Sequence, residues 1–210
     1  MRLVIFGASG RTGQELLLQA LARGHEGTAV VRSPDKFRLR YDRLNVVARD
    51  ALHGESFAGA LDGQDAVLSI LGVSGFIHSL RPMTFYEKSA RTIVEQMRAH
   101  DVRDLVLVSS VGVTHDRTQP LWYRTTVKRM LRHKYADMRR MEAIVAASGL
   151  DWTVVRASRL ADGPLTQHYR IGEDGTLPHI GAISRADLGN FVAAEAKERA
   201  HIGRAVAISY

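Results

Sequence analysis

Gly7-Ala8-Ser9-Gly10-Arg11-Thr12-Gly13 lies where an apolar run, Arg2–Phe6, gives way to a helical pattern from about Thr12 to Ala22. Glycines in this spacing permit a tight turn, a close backbone approach to a diphosphate and a helix packed near its strand. The first helical turn adds N–H groups without internal acceptors and a partial positive charge. The chemistry expected of Gly7, Ser9, Gly10, Arg11, Thr12 and Gly13 is therefore pyrophosphate binding. A tight turn with no ligand is the alternative for the same residues.

A second cluster follows at Val30-Val31-Arg32-Ser33. A site for NAD places an acid about 20 residues beyond the glycines, on the ribose 2′-hydroxyl, whereas a site for NADP favours arginine there. Arg32 can fork two N–H bonds to a 2′-phosphate and Ser33 can add a hydroxyl. NADP(H) is the expected cofactor. Asp35, slightly further on, leaves NAD open.

Positioning these residues requires a sheet. Apolar runs at Thr28–Val31, Leu44–Ala48, Ala66–Ile70, Leu105–Val108, Asp151–Val155 and Ala205–Ile208 follow the first strand, with a long helix expected at about Thr84–His100. Strands covered by helices on both faces read as unbroken apolar runs. The βαβα rhythm predicts an α/β fold, a Rossmann-type doubly wound parallel sheet. Three stretches break it: the basic loop Arg32–Arg43, a segment from Thr114–Gln119 into a helical region ending near Ala147, and an irregular Ala157–Ile183. Ser184 reads as the N-cap of a last helix, with Asp187 at its third position. One domain over residues 1–210 is expected, with substrate loops mainly at 72–82, 111–125 and 157–183.

Composition narrows the chemistry. With no cysteine, disulfides, thiolate metal sites and thiol catalysis are excluded. The histidines lack the spacing of a helical metal site, so no metal is expected. No signal peptide or run of ~20 apolar residues is present, which predicts a soluble cytoplasmic protein without a membrane partner. The formal charge of +7 calls for an anionic partner. Its most basic stretch, Arg117 to Arg140, puts Arg124, Lys128 and Arg132 on one helical face near Trp122, Tyr123 and Tyr135. No groove-reading motif accompanies it, so a solvated face or an anion-steering rim is expected before nucleic acid.

Taken together, these motifs make the chain resemble the atypical short-chain dehydrogenase/reductases, in the branch that contains biliverdin reductase B (flavin reductase) and bacterial NAD(P)H-binding relatives. The resemblance runs through Gly7–Gly13, Arg32, Asp50-Ala51, Leu71-Gly72, Ser109-Ser110, Asp162-Gly163-Pro164-Leu165-Thr166 and Ile183–Leu188. It implies that Thr12 and Gly13 bind pyrophosphate, that Asp50 and Ala51 contact adenine, and that Leu71 and Gly72 line the path to the nicotinamide. Ser109 would join the cofactor site. Ser110 would be the catalytic hydroxyl beside the nicotinamide. All fall near carboxyl ends of expected strands, where open α/β sheets bind ligands.

The chain departs from the family in two places. The Tyr-x-x-x-Lys pair of typical members is missing or altered: Tyr123 precedes Lys128 by five residues, and Tyr135 precedes Arg139 by four. Where biliverdin reductase B has a substrate-loop histidine, this chain has Arg159. Arg159 and His168, with His179, are the candidates for meeting substrate. The expected function is an NADPH-preferring oxidoreductase acting on a small conjugated acceptor, such as a flavin, quinone or tetrapyrrole-like compound, as a monomer or small homo-oligomer. A non-catalytic NAD(P)(H) sensor and an epimerase/dehydratase are the alternatives.

Overall fold

A computed structural model of the chain describes residues 1–53, 57–73, 80–114, 125–179 and 181–210. The apolar runs become strands β1 (Arg2–Phe6), β2 (Glu26–Val31), β3 (Leu44–Ala48), β4 (Ala66–Ser69), β5 (Asp104–Ser110) and β6 (Asp151–Ala157). Helix α1 (Arg11–Ala22) follows β1, α2 (Phe85–Ala99) precedes β5, and α3 (Val127–Met130) and α4 (Arg132–Ala146) precede β6. Beyond β6 come three short strands, β7 (Arg159–Ala161), β8 (Arg170–Gly172) and β9 (Ala182–Ser184). Helix α5 (Arg185–Glu198) and β10 (Arg204–Ser209) end the fold.

Eight strands form one sheet in the order β3-β2-β1-β4-β5-β6-β10-β8. Every pairing is parallel except β8 against β10. The chain runs outward from β1 to β3, then returns to place β4 beside β1. That reversal opens a crevice at the carboxyl ends of the strands.

Alternation along β1 shows why its run is unbroken. Leu3 and Ile5 pack into a layer with Leu16, Leu17, Leu188 and Val192 of α1 and α5. Val4 and Phe6 pack on the other face with Tyr86, Ile93, Met97, Met138 and Met141 of α2 and α4. Successive side chains of a strand point to opposite faces, so a two-sided sheet needs apolar residues at every position. No helix among the described residues is long and apolar enough to cross a membrane.

The stretch from 157 to 183 is more ordered than expected. β7 pairs with β9 in a separate two-stranded sheet, and β8 extends the edge of the main one. Three residues are too few to establish a period of two, so such strands carry no pattern of their own. β5 also runs further than expected, which makes Ser109 and Ser110 its last two residues rather than residues beyond it.

Candidate functional site

The glycine turn is built by contacts that exclude side chains. Gly7 has φ +85°, and a Cβ there would lie 2.6 Å from the Ile70 carbonyl oxygen. A Cβ on Gly13 would lie 2.0 Å from the Gly7 carbonyl oxygen. Gly10 donates its N–H to Gly7 at 3.0 Å and accepts from Gln14 at 2.9 Å, closing the turn into α1. Gly10 offers no side-chain cap, and the first turn holds no acid. The N–H groups of Arg11, Thr12 and Gly13 meet no acceptor among the described residues. Ser9, Gly10 and Arg11 are exposed, while Thr12 is buried. The helix start is thus a set of donors with uncompensated positive charge.

At the tip of β2, Arg32 is exposed and its guanidinium has no partner among the described residues. Ser33 is also exposed, and its hydroxyl caps nothing in the short 3-10 turn Pro34–Lys36. Phe37 is buried and anchors this basic loop in the α1 layer. At the tip of β3, one oxygen of Asp50 accepts from the Leu52 N–H at 3.0 Å, tightening the turn. The Ala51 methyl is buried with Val30 and Phe57, so only its backbone can face a ligand.

β4 and β5 are paired neighbours, and both end at the same carboxyl edge of the sheet. Leu71 is half-buried against the α2 layer, and Gly72 is exposed with open space where a Cβ would be. The Ser110 oxygen accepts from the Gly112 N–H at 3.2 Å, capping the turn Val111–Val113. Ser109 is buried, and its hydroxyl has no hydrogen-bond partner among the described residues. By strand alternation it points with Leu105 and Leu107 into the α2 and α4 layer, away from the side taken by Ser110.

Tyr135 and Arg139 underpin this turn. The Tyr135 ring is buried against Gly112, where a Cβ would come within 2.2 Å of Cζ. Arg139 Nη1 donates to the Val113 carbonyl at 3.3 Å. The Lys128 ammonium donates to the Thr114 carbonyl. Lys128 and Arg139, in the basic stretch expected as a solvated face, therefore clamp the turn after Ser110. Arg117, Trp122, Tyr123 and Arg124 lie outside the described residues, as do most of the loops 72–82 and 111–125.

Two buried acids frame the site: Asp187, expected only at the start of the last helix, and Asp137, which motif reading missed. Asp187 is fully buried, and its carboxylate accepts from Thr166 N (2.9 Å), Thr166 Oγ1 (2.7 Å), Gln167 N (2.7 Å) and the Tyr210 hydroxyl (2.5 Å). Burial alone would raise its pKa, but the donated bonds from Tyr210, Thr166 and Gln167 prevail and hold it below the ordinary carboxylate value. The Asp187 N–H donates to Ser184 Oγ at 2.9 Å, so the expected N-cap forms. Its carboxylate, however, clamps the 164–169 loop instead of reaching back to Ser184. Asp137, also fully buried, accepts from Tyr86 N at 2.9 Å and Glu87 N at 3.3 Å, capping α2 from a different helix. An acid on a helix's apolar face, flanked here by Tyr135 and Met138, is the signal that would have found it.

Asp162 joins the loop to the glycine turn. It pairs with Arg11, and with Arg185 at 2.6 Å. Arg11 thus contributes a backbone amide toward the crevice while its side chain tethers the loop. Arg159 lies on β7, exposed and without a partner among the described residues. His168 is exposed, and its backbone N–H donates to Thr166 Oγ1. His179, with φ +52°, accepts through its carbonyl from Arg170.

Known proteins are similar to this chain in sequence or in fold. The chain is 27% identical over 93% of its length, and 71% of the relative's, to an uncharacterized chloroplastic protein of Arabidopsis thaliana. It is similar in fold to the anaerobilin reductase ChuY of Escherichia coli O157:H7, with TM-score 0.79 and 20% identity over 100% of this chain and 97% of that one. A candidate NADH-flavin reductase of Streptococcus pneumoniae TIGR4 gives TM-score 0.78 and 21% identity over 100% and 99% of the two chains. A model of a family described as NAD(P)H-binding matches residues 7–199. The chain belongs to this NAD(P)H-binding family.

Proposed function

We propose that the chain is an NADPH-dependent reductase of a small, flat, conjugated acceptor of the flavin, quinone or tetrapyrrole kind. The observation that carries this reading is the pairing of an amide cradle at Arg11–Gly13 with a guanidinium at Arg32 that has no internal partner among the described residues. The residues present fit a phosphorylated dinucleotide: the cradle is closed by backbone contacts no side chain could replace, and it lies at the sheet's reversal. Solved structures with this fold named as a flavin reductase and an anaerobilin reductase support the class of acceptor.

In this reading the amides of Arg11, Thr12 and Gly13 hold the diphosphate, with Ser9 and Gly10 shaping its approach. Arg32 and Ser33 bind the 2′-phosphate, and Asp50 with the Ala51 backbone bounds the adenine. Leu71, Gly72 and the end of β5 at Ser109 line the path toward the reacting ring. NADPH, when bound, supplies the hydride. Ser110 orients the acceptor: Gly112 N–H occupies a lone pair on its oxygen, so the hydroxyl hydrogen is available for donation. Arg159 and His168 stand at the loop side of the crevice as candidates for substrate contact.

The test is to mix the protein with NADPH and a panel of flavins, quinones and simple carbonyls, following the loss of NADPH absorbance. Turnover of the conjugated members is expected. Silence across the panel with NADPH bound would remove the reductase reading.

A further inference from the structure

We infer that a cleft beside the Ser110 turn binds the anionic end of the acceptor, making the substrate a flat ring system that bears a phosphate or carboxylate. The cleft has a volume of about 530 Å³ and is lined by Leu80, Thr125, Thr126, Arg129, Met130, Arg132 and His133. That volume suits an organic molecule better than a lone inorganic ion. The inference rests on the reductase reading for the word substrate, but not for the existence of the site.

Charge in the cleft is one-sided. Arg129 is exposed and, among the described residues, has no partner, while Arg132 hydrogen-bonds there only to a neighbouring imidazole, His133 Nε2 at 3.3 Å. No carboxylate is among the described lining residues. The acids on α4 are engaged elsewhere: Asp137 caps α2 and pairs with Arg140 at 3.1 Å, and Glu142 pairs with Arg156 at 2.7 Å. Two guanidiniums with no acid paired to them among the described residues suit a phosphate or carboxylate, which they can bind with paired N–H donors. Leu80 and Met130, the latter 46% exposed, supply apolar surface for a ring.

Position connects the cleft to the proposed chemistry. Its floor, α3, is tied by Lys128 to Thr114, four residues past Ser110. The first turn of α4 carries Tyr135, whose ring rests on Gly112. Through these two contacts the helices that line the cleft meet the turn that Ser110 caps, which sets the arginines beside the carboxyl edge of the sheet.

The experiment measures equilibrium binding of two matched pairs to the NADP⁺-loaded protein: FMN against riboflavin, and anthraquinone-2-carboxylate against its methyl ester. The anion should bind about tenfold more tightly in at least one pair, and that pair names the phosphate or the carboxylate as the preferred group. Replacing both arginines (R129A with R132A) should erase the preference while changing riboflavin or ester binding less than about twofold. Both side chains are exposed, and an R129Q variant with an unchanged melting temperature controls for folding. Equal binding within both pairs, or a preference that survives the double replacement, overturns the inference. Turnover of NADPH with neutral acceptors and no anion preference leaves the reductase and removes the cleft. Arginine-dependent anion binding without turnover does the reverse.

Discussion

Replacing Asp187 should unlock the 164–169 loop, and its carboxylate geometry sets the size of the effect. One oxygen accepts from two backbone N–H groups, of Thr166 and Gln167. The other accepts from two hydroxyls, of Thr166 and Tyr210. Amide N–H groups can only donate, whereas hydroxyls can turn to accept. In Asp187→Asn the remaining carbonyl oxygen can keep both backbone bonds while the new amide donates to the rotated hydroxyls. Only the charge-assisted part is lost, about 1–2 kcal/mol. Asp187→Ala orphans all four donors around a buried site and should cost about 3–5 kcal/mol. For a chain of this size that is a fall in melting temperature of roughly 10 °C.

The acid limb of stability provides an independent check. Because the folded carboxyl titrates below its unfolded value, its contribution is present above that unfolded value, near pH 4. It is lost as pH falls through the lower folded value. Urea denaturation between pH 3 and 7 should show that Asp187→Asn flattens this limb. Equal costs for the two variants, or an alanine variant within about 1 kcal/mol of wild type, would refute the clamp.

Four further outcomes test the cofactor crevice and its frame. Arg32→Ala should weaken NADPH by about 1.5–3 kcal/mol and leave NADH nearly unchanged in calorimetric titration; equal losses would show the 2′-phosphate reading to be wrong. Gly13→Ala forces a Cβ to 2.0 Å from the Gly7 carbonyl and should abolish binding of both coenzymes while costing about 1–3 kcal/mol of stability. Retained NADPH binding in a titration would contradict it. Ser110→Ala should lower turnover of a conjugated acceptor about 100-fold with the NADPH dissociation constant unchanged, as steady-state and binding measurements together would show. Asp137→Ala removes a buried cap from α2 and should cost about 3–5 kcal/mol in urea denaturation, whereas a loss below about 1 kcal/mol would deny it that role.

The central sheet was legible because burial on both faces writes itself into composition. Val4 and Ile5 face opposite layers yet are both apolar, and no other arrangement explains such a run. The glycine turn was legible because backbone crowding at Gly7 and Gly13 admits only one residue type. The short strands β7, β8 and β9 were not, since three residues leave no period and their order comes from tertiary partners. Nor were the partners of Arg11 or Asp187, which lie 151 and 20 to 23 residues away in sequence. Local pattern rules describe neighbours along the chain, and these contacts exist only once the sheet has brought the loops together.

Contacts of this long-range kind also bear on where a proton for the acceptor would originate. Around the crevice Asp50 is bound to its own turn, Asp162 to Arg11 and Arg185, Asp187 to the loop, and Asp137 to α2. Asp187, whose carboxyl the donated bonds hold below the ordinary carboxylate value, is a poor general acid near neutral pH. In the proposed site, the remaining groups among the described residues are donors: three backbone amides, the guanidiniums of Arg32 and Arg159, and the Ser110 hydroxyl. Such an edge suits accumulation of negative charge on a bound molecule better than delivery of a proton from a side-chain acid. A conjugated acceptor, which spreads the charge of an added hydride over its rings until water protonates it, matches that edge. An isolated ketone, whose alkoxide needs a proton as it forms, does not.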